Sequence, residues 1–166
     1  MSPRSKFQGS CRTASVGAAI VLAAAASTIW FAVERPAEST VELVAPLGTF
    51  VVEIARTPEA RSSGLSNRTS TEHGGLLLVW DAPGRRPIWM ADMRFALDLV
   101  WLDASGRVLA VLADVPPCDR QPCPLYEPPG TDRSTAVLEM PAGRAARYGI
   151  TTDSTIHATG ANVFVR

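Results

Sequence analysis

At residues 41–55 two strand-like stretches flank Pro46-Leu47-Gly48; in the second, Phe50, Val52 and Ile54 alternate with Val51 and Glu53. A period of two sends successive side chains to opposite faces, so the segment predicts a strand, a turn and a second strand. Thr57-Pro58-Glu59 changes the pattern. A capping hydroxyl, a proline at the first helical position and an acid in the first turn open a short helix that carries Arg61, and Gly64 closes it. After Gly74-Gly75, residues 76–80 form a continuous apolar run, as expected of a strand buried on both faces. Residues 81–87 read as a polar turn, and residues 88–90 start a further strand.

Residues 95–102 carry the strongest strand pattern. Asp103-Ala104-Ser105-Gly106 then turns the chain, and residues 107–112 return antiparallel. Residues 115–129 are proline-rich and expected to be irregular, because proline neither donates to a sheet ladder nor continues a helix. Residues 136–140 predict another strand and residues 141–148 a short helix ended by Gly149. Residues 150–157 and 162–166 suggest a last strand pair. No regular alternation of strand and helix points to a doubly wound sheet. The expected fold is mainly β (α+β): a small, mostly antiparallel domain, barrel-like or sandwich-like, with two short helices.

Ahead of this domain, Arg4, Lys6 and Arg12 precede an uncharged run at residues 13–33 that is rich in Ala, Val, Ile and Leu. About twenty apolar residues suffice to cross a bilayer, and a basic flank stays on the cytoplasmic side. The chain therefore divides into a basic cytoplasmic start (1–12), a transmembrane anchor or signal peptide (13–33), a polar linker (34–40) and an extracytoplasmic domain (41–166). The run of alanines at 23–26 suits a signal peptidase. Ile29, Trp30 and Phe31 instead prolong the apolar run toward a membrane interface. Anchoring in the inner membrane is the first expectation, and secretion after cleavage the alternative. Cys11 precedes the run, whereas a lipid-bearing cysteine would follow it.

Sixteen basic residues balance 16 acidic ones, and no basic patch with interleaved aromatics occurs, so a nucleic-acid partner is not expected. The two histidines, His73 and His157, are far apart and form no zinc signature. Asp103, Ser105 and Gly106 supply too few oxygens for a calcium loop. No G-x-S-x-G elbow accompanies the serines around Gly64. No metal and no cofactor are expected.

Four features carry possible chemistry. Asp98 interrupts an apolar strand, where a carboxyl is costly unless paired, capped or used. It reads either as a site carboxylate or as a structural one, with Arg61 as the first candidate partner. Glu139 is a second lone acid amid apolar residues. Trp89 with Asp92 and Arg94 has the makings of a sugar- or cation-binding platform, or is simply a large core residue; Trp80 and Trp101 read as core. Cys118 and Cys123 lie in the proline-rich loop, where an oxidising compartment favours a disulfide staple over a redox-active pair, with Tyr126 beside them.

Taken in order, Arg61-Ser62-Ser63-Gly64-Leu65, Gly74-Gly75-Leu76-Leu77, Trp89-Met90, the segment 97–108, the Pro-Pro-Cys loop, Val137-Leu138-Glu139, and Ala142-Gly143 with Gly149-Ile150 resemble the DUF192 (UPF0127) family across nearly the whole exported domain. The resemblance implies a compact β-rich fold and no established activity. This chain departs from the family pattern in three places. Ser66 replaces the usual Met after Gly-Leu, Asp92-Met93 replaces an Asn-Thr pair, and Thr152 precedes Asp153 where the family has Gly. The change to Asp92 would convert a donor–acceptor amide into an acceptor.

Two functions are weighed. One is a non-enzymatic envelope domain that binds a small polar ligand or an envelope partner around Arg61, Trp89, Asp92, Asp98, Tyr126 and Glu139. The other is a hydrolase of cell-wall or sugar substrates using Asp98 with Glu139 or Asp92, which requires two carboxyls facing one cleft. A thiol-redox role for Cys118 and Cys123 is a third, weaker reading.

Overall fold

The structure, a computed structural model, describes residues 39–160, 163 and 164. The apolar segment 13–33, most of the linker and the end of the expected last strand lie outside these residues. Among the described residues, nine strands and two short helices follow in the order β1 (Thr40–Ala45), β2 (Gly48–Ala55), α1 (Pro58–Ser63), β3 (Leu76–Gly84), β4 (Ile88–Trp89), β5 (Leu97–Leu102), β6 (Val108–Val115), β7 (Leu125–Tyr126), β8 (Ser134–Pro141), α2 (Arg144–Arg147) and β9 (His157–Ala158). Seven strands form one curled, half-barrel sheet ordered β6-β5-β8-β3-β2-β1-β9, and β4 pairs with β7 in a separate ribbon. Every neighbouring pair is antiparallel except β2 and β3. A parallel pair needs a long crossover, and α1 lies within it. The mostly antiparallel, mainly β expectation is met.

The central strands β3, β5 and β8 are apolar on both sides because each side has its own core. Leu77, Val79, Val100, Leu102 and Leu138 pack into one, with Leu43 and Phe50. Leu76, Leu78, Leu99, Trp101 and Val137 pack into the other, with Leu65 and Met90. Each fully buried Leu or Val contributes roughly 1.5–3 kcal/mol relative to exposure, so both faces resist slippage in register. At the start of β3, a Cβ on Gly75 would lie 2.2 Å from the backbone oxygen of Glu139 in the neighbouring strand, a closeness only glycine permits.

Several local expectations shift. The polar turn expected at 81–87 begins later, since β3 runs on to Gly84 through an irregularity in its pairing with β8. The helix expected at 141–148 contracts to Arg144–Arg147. Residues 150–156 do not form a strand. The Ser154 hydroxyl there donates to the Thr151 carbonyl and accepts from its N–H, Asp153 takes a left-handed conformation (φ 71°), and Ile150 and Ile156 plug a core. Thr, Asp and Ser side chains offer the backbone such local partners in competition with a ladder. The proline-rich loop contains β7, and its Glu127 is clamped by Arg85 through two hydrogen bonds of 2.5–2.6 Å. The expected Cys118–Cys123 disulfide is formed.

Candidate functional site

Register decides which polar side chains can meet. In the β5–β8 ladder Asp98 lies opposite Met140 and Leu99 opposite Glu139. Successive residues point to opposite faces, so Asp98 faces the core of Val100 and Leu102 while Glu139 faces that of Val137 and Leu99. The two lone acids are on opposite sides of one sheet and cannot share a cleft.

Asp98 is wholly buried. Its Oδ2 accepts from the Ala145 N–H at the start of α2 (2.8 Å), and its Oδ1 accepts from the Asp114 N–H (3.0 Å). Gly143, the residue capping α2, has no side chain to do this. Asp98 is therefore a cap supplied from a distant strand, meeting the need of a helix start for an acceptor. Arg61 is not its partner. The Arg61 guanidinium donates to the Arg56 and Val79 carbonyls, the latter at 2.9 Å, and lies over the Trp80 ring at 5.1 Å.

On the other face, the turn after α1 folds over Glu139. Thr57 caps α1 through its hydroxyl, as its sequence predicts, and Gly64 ends the helix at φ 48°, ψ −134°. A Cβ on Gly64 would sit 3.2 Å from Glu139 Oε2, so glycine lets the backbone come down onto the carboxyl, and the Leu65 N–H donates to it. Glu139 is 6% exposed, and its Oε2 has no hydrogen-bond partner. Burial pushes its pKa up to about 7, against the opposing pull of the Leu65 N–H and the Arg68 charge. Arg68 is itself engaged with buried Glu53 at 2.6 Å.

A cavity of about 330 Å³ opens above Glu139. Arg61 and the serines of α1 form one wall, Trp80 and Leu78 of β3 another, and Ile88, Trp89 and Met93 a third. Trp89 stands half exposed at 53%, so it is not a core residue. Trp80, expected in the core, is only partly buried and carries Arg61 and Arg86 over its ring at 5.1 and 4.7 Å. Trp101 is fully buried and donates its Nε1–H to the Arg86 carbonyl (2.8 Å).

Of the sequence-derived candidates, Arg61, Trp89 and Glu139 meet at this cavity, while Asp92, Asp98 and Tyr126 do not line it. Asp92 is an exposed turn residue in the left-handed region (φ 57°), and its carbonyl accepts from the Asn67 N–H at 2.8 Å. Asn and Asp tolerate that conformation better than most residues, so the backbone here accepts either. Tyr126 pairs with Ile88 in the β4–β7 ribbon. Sequence reasoning missed Trp80 and the Glu53–Arg68 pair. Glu53 occupies a polar position in an alternating strand, which reads as solvent-facing until the second core is known. Among the described residues no cluster of three or more His, Cys, Asp or Glu side chains could hold a metal ion.

The DUF192 family profile, described as uncharacterized ACR, matches residues 40–158. A protein of unknown function from Novosphingobium aromaticivorans has a similar structure, with 27% identity, a TM-score of 0.62, and coverage of 72% of this chain and 84% of that one. A proposed transcription regulator from Sinorhizobium meliloti shares the fold at 20% identity and a TM-score of 0.65, over 76% of this chain and 99% of that one. No curated protein matches the sequence.

Proposed function

The chain belongs to the DUF192 family, and from that premise and the cavity geometry we propose that its domain is a non-enzymatic binding module for a small polar ligand, held outside the cytoplasm by the apolar segment at 13–33. The observation that carries the reading is the free Oε2 of buried Glu139 beneath a cavity bordered by Arg61 and Trp89. A buried acceptor left without a donor costs free energy that a ligand donor recovers. A volume near 330 Å³ is at the small end of ligand pockets.

Paired-carboxylate hydrolysis is disfavoured on geometry. Among the described residues, Glu139 is the one carboxylate lining the cavity, and Asp98 faces the opposite side of the sheet. The disulfide shares no surface with the cavity, since neither Cys118 nor Cys123 lines it.

A second reading has its own observation. Trp89 and Leu125 are cross-strand partners on the β4–β7 ribbon and are 53% and 65% exposed, an apolar pair fit for an envelope partner. Leu125 does not line the cavity, which separates the two readings. A screen of small polar compounds against the full chain, read by thermal shift, is expected to give stabilising hits that vanish in Trp89→Ala and persist in Leu125→Ser. Hits that survive Trp89→Ala would remove the cavity from consideration.

A further inference from the structure

Resting on the cavity reading above, we propose that the ligand is a neutral, hydroxyl-rich ring of hexose size: a saccharide unit seated against the Trp89 indole with one hydroxyl on Glu139 Oε2. Three observations narrow the chemistry. Among the described residues, the ionisable groups lining the cavity are Arg61 and Glu139, and the Arg61 guanidinium is already engaged by the Arg56 and Val79 carbonyls, so the walls hold out no unengaged cation to an anionic ligand. Positive charge is already stationed there, since the guanidiniums of Arg61 and Arg86 lie over the Trp80 ring. A ligand ammonium would meet their repulsion, and a neutral ring does not.

The acceptor on Glu139 asks for an adaptable partner. A hydroxyl both donates and accepts, so it satisfies Oε2 whether the carboxyl is ionised or protonated, whereas an ammonium only donates. Burial holds this carboxyl near the neutral range, so both forms are populated at neutral pH. The aromatic surface completes the match. The Trp80 ring is already overlain by guanidiniums, but Trp89 is half exposed and is one of the residues that line the cavity. An indole face packs against the apolar C–H face of a sugar ring while the hydroxyls turn to polar walls. The α1 residues Ser62 and Ser63 also line the cavity.

The test titrates the full chain in lipid nanodiscs, free of sugar-headed detergent, with glucose, N-acetylglucosamine, maltotetraose and chitotetraose. Methylammonium serves as the cationic comparison. Amide and indole NMR signals are followed. A sugar is expected to shift the Trp89 indole and Leu65 amide signals, with affinity falling about tenfold in Glu139→Ala and in Trp89→Ala, and only a few-fold in Glu139→Gln, which keeps an acceptor oxygen. Trp89 is half exposed, so its replacement leaves the fold intact and keeps the test decisive if Glu139 variants misfold. Equal affinity for monomer and tetramer identifies a free sugar, and tighter binding of the tetramer identifies a glycan chain; both support the proposal. Methylammonium shifting these signals while no sugar does overturns the sugar assignment and leaves the cavity as a binding site. If no probe moves them, the sugar assignment and the cavity reading fall together.

Discussion

Two acids sit alone in apolar strands, and their surroundings give them different work. Asp98 has a backbone donor on each oxygen; Glu139 has the Leu65 N–H and an open Oε2. Among the described residues, the charged groups facing Glu139 are Arg61 across the cavity and Arg68, which is tied to Glu53. Desolvation outweighs the pull of the Leu65 N–H and of the Arg68 charge, and the pKa rises from the ordinary 4.5 to about 7. The sign of the consequence follows from linkage. Between those two values the folded chain holds a proton that the unfolded chain has released, so stability falls as pH rises through this window and levels off above it. The span corresponds to roughly 3 kcal/mol. Chemical denaturation of the wild type should therefore show stability declining between about pH 4.5 and 7, and Glu139→Gln should flatten the profile and be the more stable form at pH 8. A wild-type profile matching that of Glu139→Gln would mean the carboxyl ionises normally.

Elements were legible where hydrophobic period and turn chemistry agreed. Strands β2, β5, β6 and β8, the Asp103–Gly106 turn and the start of α1 stand where the sequence puts them. Misreadings occurred where polar side chains satisfied the backbone locally, as at Ser154 and Asp153, or where a two-residue strand left no periodicity to read, as in β7 and β9. The role of Asp98 belongs to this scale too, since it ties β5 to the start of α2 and to the Asp114 amide of β6. Replacing it with Ala strands two donors, at about 1–3 kcal/mol each. Asp98→Ala should therefore lower unfolding stability by about 2–4 kcal/mol, and Asp98→Asn, which keeps one acceptor, by roughly half as much. Hydrogen exchange at the Ala145 amide should accelerate first. Slow exchange there in Asp98→Ala would show that α2 does not depend on this cap.

At the scale of the whole molecule, the composition of the candidate site was legible and its grouping was not. Arg61, Trp89 and Glu139 stood out as residue types in context, but only the β5–β8 register reveals that Asp98 and Glu139 face opposite cores, and only the crossover brings α1 over β8. Sequence separation conceals such pairings because each depends on which strands become neighbours. The chain contains its own reporters for the remaining architectural proposal, its placement across a membrane. Of its three cysteines, Cys118 and Cys123 form a disulfide, and Cys11 precedes the apolar run. A cytoplasmic thiol stays reduced, and a pair outside the cytoplasm is oxidised. With an anchored, exported domain, an impermeant maleimide should label no cysteine in intact cells and one per chain, Cys11, after lysis without reductant. Cleavage of the leader would remove Cys11 and give no label in either case. Labelling of Cys118 and Cys123 after lysis would place the domain in a reducing compartment and overturn the export proposal. One mass measurement of the alkylated chain thus separates anchoring, secretion and cytoplasmic retention, because each leaves a different number of free thiols.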